Sequence, residues 1–430
     1  MALTGRFVLL LALGIVPVLL RPDLDTVWLW LLVVCVLGLL DWALAPRISG
    51  LSFERAAVGQ VRQGHPTSTT LAVANTGRRR IRGRLRDAWQ PTAGASDNRH
   101  RILLASGERS LLVTPLRPVR RGDLQAVGVT VRLNGPLGLV SRQQTQRVAG
   151  SVRCLPPFES RKHLPSRLAR LRELDGRAAI RIRGQGTEFD SLREYVRGDD
   201  VRSIDWRASA RNRNVVVRTW QPERDRRVVL VLDTSRTSAG RVQEVPRLDA
   251  AMDAALLLAA LAARAGDRVD FVAGDRRIRS RLRLAAQSGV AVALQDAMSD
   301  LQPIIAEADW SSLAGAVQGL GRQRALVVLL TPLEPAAIEA GLLPVLPTLT
   351  RHHRVVLASV RDPALEEMAS GRDSAGDAYA AAAAEQALES RARTSDLLRA
   401  LGVDVLDRDA ENLPPALADH YLMLKARGLL

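Results

Sequence analysis

The sequence predicts a membrane helical hairpin, an antiparallel β-sandwich and a doubly wound α/β domain in series. Three observations carry that reading. Two apolar runs, Phe7 to Leu20 and Val27 to Leu40, open the chain. Apolar and polar residues then alternate with a period of two, as on strands with one wet face. From Arg227 onward, continuous apolar runs alternate with helical patterns, as buried parallel strands and their crossovers do. The divisions fall at 1–46, 47–157, a charge-dense segment at 158–226, and 227–430. At 430 residues the chain has room for several domains and a sizeable core.

Each apolar run is shorter than the roughly 20 residues of a standard span. Arg21-Pro-Asp-Leu-Asp25 is a tight connection between them. The second run extends through Trp42-Ala-Leu-Ala45 if Asp41 sits near the headgroups, and Arg6 can snorkel at the start of the first. Ala43-Leu44-Ala45 has the form of a signal-cleavage site. Pro46 follows it and two apolar runs precede it, which fits cleavage poorly. A buried hairpin in a soluble protein is the bland alternative. Arg6 lies before the pair, and Arg47, Arg55 and Arg62 after it, while the connection holds one Arg and two Asp. The positive-inside rule therefore puts both ends, and everything that follows, in the cytoplasm.

In the middle of the chain Leu71 and Val73 alternate with Ala72 and Ala74, and Ile81, Gly83 and Leu85 alternate with Arg82, Arg84 and Arg86. Val127, Val129, Val131 and Leu133 continue the pattern, with turns at Asn75-Thr-Gly77 and Asn134-Gly135. About 110 residues of such strands suggest a small sandwich. The arginines at outward positions read as a solvated face; the alternative is a binding stripe.

Lys+Arg 61 against Asp+Glu 45 gives a net charge of +16, carried by arginine except at Lys162 and Lys425. That charge suits nucleic acid, an anionic membrane face or an acidic partner without choosing. Aromatics at 3% argue against a stacking platform for single-stranded nucleic acid. Two cysteines, Cys35 and Cys154, exclude a disulfide scaffold and a cysteine-only zinc site, and both read as packing residues. The histidines are scattered without HExxH, which disfavours a zinc hydrolase.

Between 158 and 226, Leu164, Leu168 and Leu171 have helical spacing, so a short amphipathic helix is expected. After it, Arg193, Arg197, Arg202, Arg207 and Arg211 are interleaved with Asp199, Asp200 and Asp205 around Tyr195 and Trp206, with a turn at Gly198. Arginines fork onto phosphates, so one reading is a phosphate or nucleic-acid clamp. The other is an ion-pair lock that fixes this segment onto a neighbouring domain. The interleaved acids favour the lock, and its members are Arg193, Tyr195, Gly198, Asp199, Asp200, Arg202, Asp205, Trp206 and Arg211.

Arg227-Val-Val-Leu-Val-Leu-Asp233 reads as a buried parallel strand ending in an acid. Leu248, Met252, Leu256 and Ala260 mark the next helix, Val269–Val272 a strand and Val290–Leu301 a helix. Ala325–Leu330 and Val355–Val360 are further buried strands. An Ala-rich helix at 378–401, a short strand at 403–406 and a last helix complete the pattern. In a doubly wound sheet the site lies at the carboxyl ends of the strands. Asp233, Ser235 and Thr237 stand there and offer one carboxylate and two hydroxyls, hard oxygens that suit Mg²⁺. The competing reading has the hydroxyls cap the following turn. Gly184-Gln-Gly186 lacks the strand and the Lys-Ser/Thr of a phosphate loop, so no nucleotide is expected.

These residues carry a resemblance. Phe189-Asp190-Ser-Leu-Arg-Glu-Tyr195, Gly198-Asp199-Asp200-Val-Arg202, Ile204-Asp205-Trp206, Ala210-Arg211 and Leu232-Asp233-Thr-Ser235 resemble the bacterial membrane-associated family called domain of unknown function 58. So do the N-terminal hairpin, Arg121-Gly122, Gly135-Pro-Leu-Gly-Leu139 and the Tyr421–Arg427 tail. The resemblance implies a von Willebrand factor A-like C-terminal domain and, more loosely, partnership with MoxR-type AAA+ ATPases. It also implies a metal-ion-dependent adhesion site, whose first element matches Asp233, Ser235 and Thr237. On the second loop Ser311, in Asp309-Trp-Ser311-Ser312, stands in for a threonine. On the third, Thr331-Pro332-Leu-Glu334 puts proline where an acid belongs, so the site is incomplete on paper.

The function expected is that of a non-enzymatic, membrane-anchored interaction protein. Its two-helix anchor sits in the bacterial inner membrane, and its cytoplasmic domain docks a partner such as a MoxR-type ATPase or its client. The alternatives are a metal-dependent hydrolase built on Asp233 and arginine-mediated nucleic-acid binding; the interleaved acids and sparse aromatics weigh against the latter.

Overall fold

The computed structural model describes every residue except 1, 182–187, 198, 212–213, 222–225, 244, 285–288, 322 and 372. Contacts gather the chain into two compact units, Met1–Leu155 and Pro156–Leu430.

In the first unit β1 (Ala2–Leu3) leads into α1 (Gly5–Leu13), α2 (Ile15–Leu20) and α3 (Leu24–Leu44). The 21 residues of α3 rise about 31 Å at 1.5 Å each, enough to cross a hydrocarbon core. Among the described residues it is the one helix long and apolar enough to do so. The first apolar run falls short. Gly14 divides it, and Pro17 has no N–H to return to the preceding turn. Gly14 lies against the Trp30 ring with no room for a Cβ, so the broken companion packs closely on α3. Cys35 is exposed on α3 and is not the packing residue expected, whereas Cys154 is buried.

The strands β2 (Leu51–Arg55), β3 (Val61–Arg62), β4 (Thr67–Asn75), β5 (Ile81–Trp89), β6 (Arg99–Leu104), β7 (Arg109–Leu116), β8 (Gly122–Asn134), β9 (Val140–Gln146) and β10 (Ser151–Leu155) follow. β2-β4-β7 form one antiparallel sheet. The other is built around β8, which pairs with β5, β9 and β10. Leu71 and Val73 of the first sheet share a core with Leu85, Ile102, Val131 and Leu133 of the second. Arg82, Arg84 and Arg86 point outward and are exposed, as the alternation requires. Arg55 does not flank a membrane. Its guanidinium lies inside the unit, donating to both oxygens of Asp87 at 2.8 and 2.6 Å and covering the Trp89 ring.

Asp41, near the end of α3, is fully buried. Its carboxylate accepts the backbone N–H groups of Leu137, Leu139 and Val140 at 2.7, 2.7 and 2.8 Å. Those donors lie in and just after the turn Gly135-Pro-Leu-Gly-Leu139. Gly135 is required there because a Cβ would strike the Asp41 carboxylate and carbonyl. The Thr4 hydroxyl donates to the Gly138 and Leu139 carbonyls, and β1 pairs with β9. Arg142 donates to the Trp42 carbonyl and stacks on its indole. The base of the apolar helices is thus clasped to the β8–β9 turn, which is why 1–46 and the strands form one unit.

In the second unit α4 (Leu164–Arg181) is the amphipathic helix expected, with Leu171 buried. β11 (Glu188–Glu194) and β12 (Val216–Gln221) pair as a separate antiparallel ladder, with α5 (Trp206–Ser209) in their connection. The rest comprises β13 (Arg227–Asp233), the small ladder β14 (Arg241–Val242) with β15 (Val245–Pro246), α6 (Arg247–Arg264), β16 (Arg268–Gly274), β17 (Ile278–Leu284), α7 (Val290–Ser299) and α8 (Trp310–Gln318). β18 (Leu326–Leu330), α9 (Pro335–Ala337), α10 (Leu346–Thr350), β19 (Arg354–Val360), α11 (Ala364–Ser370), α12 (Ala375–Ala400), β20 (Val403–Arg408) and α13 (Leu413–Ala426) end the chain.

Six strands form one sheet in the order β17-β16-β13-β18-β19-β20, parallel except for β17. From β13 the chain builds outward to β17, then crosses to β18 and builds the other way. The switch point therefore lies between the carboxyl ends of β13 and β18. Val228, Leu230 and Leu232 face a core with α6, α7 and α13, while Val229 and Val231 face another with α8, α10 and α12. Helices thus cover both faces, which explains the unbroken apolar run.

Candidate functional site

The buried run of β13 delivers Asp233 to the switch point, where it is 1% exposed. Its Oδ1 accepts the Ser235 N–H at 2.8 Å. Its Oδ2 accepts the Thr331 hydroxyl at 2.7 Å and the Thr237 hydroxyl at 3.2 Å. The Ser235 and Thr237 hydroxyls lie 3.0 Å apart. Burial pushes the Asp233 carboxyl above the usual range, and hydrogen bonds from Thr331, Ser235 and Thr237 oppose that shift. Thr331 is the first residue after β18, so this bond closes the switch point.

The adjacent loops are equally occupied. Asp275, after β16, accepts from the Thr234 hydroxyl and from Arg279 Nε, both at 2.8 Å. Asp309 caps α8 by accepting the Ser312 hydroxyl at 2.6 Å and the Ser312 N–H at 3.0 Å, which hold its carboxyl below the usual range. Arg236 pairs with Glu307. The structure brings Asp233, Ser235 and Thr237 together. No described hydrogen bond joins Ser311 to them; its neighbour Ser312 takes the cap. Thr331 is the partner that sequence reasoning missed. Its signal was its place immediately after an apolar strand.

Mg²⁺ requires near-octahedral oxygens and keeps several waters. Here the carboxylate is enclosed and both its oxygens take protein donors. The third loop offers Thr331-Pro332 in place of an acid. No group of three or more His, Cys, Asp or Glu gathers among the described residues. The donor set fits a closed hydrogen-bonded hub and does not fit a resident divalent cation.

The charged segment folds onto itself. Arg193 forks onto Asp199 at 2.8 and 2.6 Å, and Asp199 also accepts the Val196 N–H. The Arg193 bond, then the Val196 bond, hold the Asp199 carboxyl below the usual range. Asp205 caps α5 through the Arg207 and Ala208 N–H groups and pairs with Arg218 at 2.8 Å. Asp200 accepts the Arg202 N–H, and the Tyr195 N–H reaches the Val215 carbonyl. Val216 and Val217 are buried beneath this connection. Gly198 lies outside the described residues. Arg193, Asp199 and Asp205 are thus an internal brace of the β11–β12 hairpin. The side chains of Arg202, Trp206 and Arg211 stand outside it and are exposed.

The model of the family described as protein of unknown function DUF58 matches residues 191–414, just over half of the chain. The chain belongs to the DUF58 family. The match begins in β11 and runs through the switch point to the start of α13. No curated protein matches the chain. Among solved structures, a conserved hypothetical protein, BatB from Bacteroides thetaiotaomicron, is 11% identical with a TM-score of 0.28, over 47% of this chain and 99% of that one. Native alpha-2-macroglobulin from Escherichia coli is 21% identical with a TM-score of 0.22, over 26% of this chain and 17% of that one. A PapD-like domain of human CEP192 is 14% identical with a TM-score of 0.19, over 25% of this chain and 85% of that one. Likenesses this distant carry no argument about this family member.

Proposed function

We propose that this DUF58 protein is a non-enzymatic, membrane-anchored interaction protein whose von Willebrand factor A-like domain docks a partner. The observation that carries the reading is the closed hub at the switch point. Asp233, Asp275 and Asp309 spend their oxygens on neighbouring hydroxyls, backbone N–H groups and Arg279. A general base or nucleophile needs a free lone pair facing a substrate. Loops braced in this way instead make a rigid surface at the carboxyl edge of the sheet, which favours docking over hydrolysis.

The anchor reading rests on α3 and its clasp. An apolar helix with its flank exposed is stable in lipid and not in water. The shorter companion makes the two-helix hairpin by packing at Gly14, with the remaining thickness met by tilt or local thinning. The flanking Arg6 and Arg47 favour both ends lying at the cytoplasmic face of a bacterial inner membrane. A MoxR-type AAA+ ATPase, or its client, is the partner that the family resemblance favours. Affinity purification of the full chain from native membranes tests this. A MoxR-type ATPase is expected with the wild type; recovery of neither an ATPase nor an envelope protein contradicts the reading.

A further inference from the structure

We propose that the end of the β11–β12 hairpin, formed by residues 195–197 and 199–211, binds an acidic protein segment that also presents apolar side chains. This rests on the docking reading above and gives it a place and a partner chemistry. Trp206 is 66% exposed, Val196 61% and Val201 60%. Three large apolar side chains thus stand exposed within the one connection that joins β11 to β12.

The charges around them are unequal in a specific way. Asp199 and Asp205 are ion-paired with Arg193 and Arg218, while Glu194 and Asp200 accept only from the neutral Asn214 amide and the Arg202 N–H and keep their charge. Arg197, Arg202, Arg207 and Arg211 are exposed and make no side-chain hydrogen bond or ion pair among the described residues. The hairpin end therefore offers unpaired guanidinium forks beside an exposed indole. Arginine and tryptophan are the residue types that most often dominate binding energy at interfaces.

The Asp205 cap and the Arg193–Asp199 fork hold the backbone in place beforehand, which lowers the entropy lost on binding. Guanidinium forks match carboxylates. Val196, Val201 and Trp206 call for apolar groups between those carboxylates. A peptide supplies both, whereas a nucleic-acid strand would find one exposed ring, Trp206, one half-buried ring, Tyr195, and two aliphatic side chains.

The test uses the full chain in nanodiscs and a fluorescent peptide of alternating Glu and Leu. Binding is expected, weakening with salt and falling at least about tenfold in Trp206→Ala and in Arg202→Glu/Arg207→Glu. Retained hydrogen-exchange protection over β12 shows that these exposed positions leave the hairpin folded. Equal binding of the Gln-Leu peptide, tighter binding of oligodeoxythymidine or phosphatidylglycerol vesicles, or indifference to the substitutions overturns the proposal.

Photo-crosslinkers at the exposed Ala210 and at Glu307 in native membranes separate the two levels. Crosslinks at 210 that the Glu-Leu peptide competes away support the hairpin site, and position 307 reports the switch-point edge. Crosslinks at 307 alone overturn it and leave the docking reading standing. None at either position overturns both.

Discussion

Asp233 and Asp253 are buried acids with different neighbours. Asp233 is closed in by three donors across the switch point. Calorimetric titration of Mg²⁺ into the full chain should show no heat that depends on Asp233; heat above dilution that vanishes in Asp233→Ala would restore the metal site. Asp253, in α6, accepts the Ser160 hydroxyl at 2.8 Å and its N–H at 3.1 Å. Burial nevertheless pushes its carboxyl from 3.8 up to about 6. The folded state therefore holds this proton more tightly than the unfolded state. Its contribution to stability falls as pH rises from about 4 to about 6, by roughly 3 kcal/mol, and is level above that. Denaturant titrations across this window should show the decline, and Asp253→Asn should flatten it. The position of Asp233 was legible because an apolar run ends on it. Its bond to Thr331 was not, because the two stand at the ends of strands distant in sequence and adjacent only at the switch point.

At the scale of the element, the clasp and the hairpin brace make separate predictions. Asp41→Ala removes the acceptor for three backbone N–H groups and should destabilise the first unit by about 3 kcal/mol. Gly135→Ala should act in the same direction by driving a Cβ into the same carboxylate. Limited proteolysis after Gln146 reads both, and unchanged protection in either variant would contradict the clasp. Asp205→Ala should weaken α5 as a lost cap, seen as faster amide exchange over 206–210. The apolar helices and outer strands were legible from periodicity. β11 is hard to read because acids and an arginine interrupt its apolar residues, and β12 because it has only one arginine between apolar residues and no clean alternation. β17 does alternate, Ile278, Leu282 and Leu284 with Arg279, Arg281 and Arg283, and its arginines mask it as a charged loop. The clasp left no mark because Asp41 is bonded to backbone N–H groups, which every residue except proline carries.

At the scale of the whole molecule, the +16 charge resolves into distinct uses. Arg6 and Arg47 flank apolar helices. Arg55 is spent inside the sandwich, and Arg82, Arg84 and Arg86 are solvated. Arg193 and Arg218 brace the hairpin, leaving Arg197, Arg202, Arg207 and Arg211 for a partner. α3 predicts that the full chain stays with the membrane fraction after alkaline carbonate washing; release into the supernatant would contradict the anchor. The protein is proposed to dock a partner and to catalyse nothing itself. Purification of the full chain from native membranes, followed by identification of what remains bound, decides between the two. A stoichiometric MoxR-type ATPase or its client is the expected result. A chain recovered alone that hydrolyses a phosphoester, and loses that activity in Asp233→Ala, would contradict it.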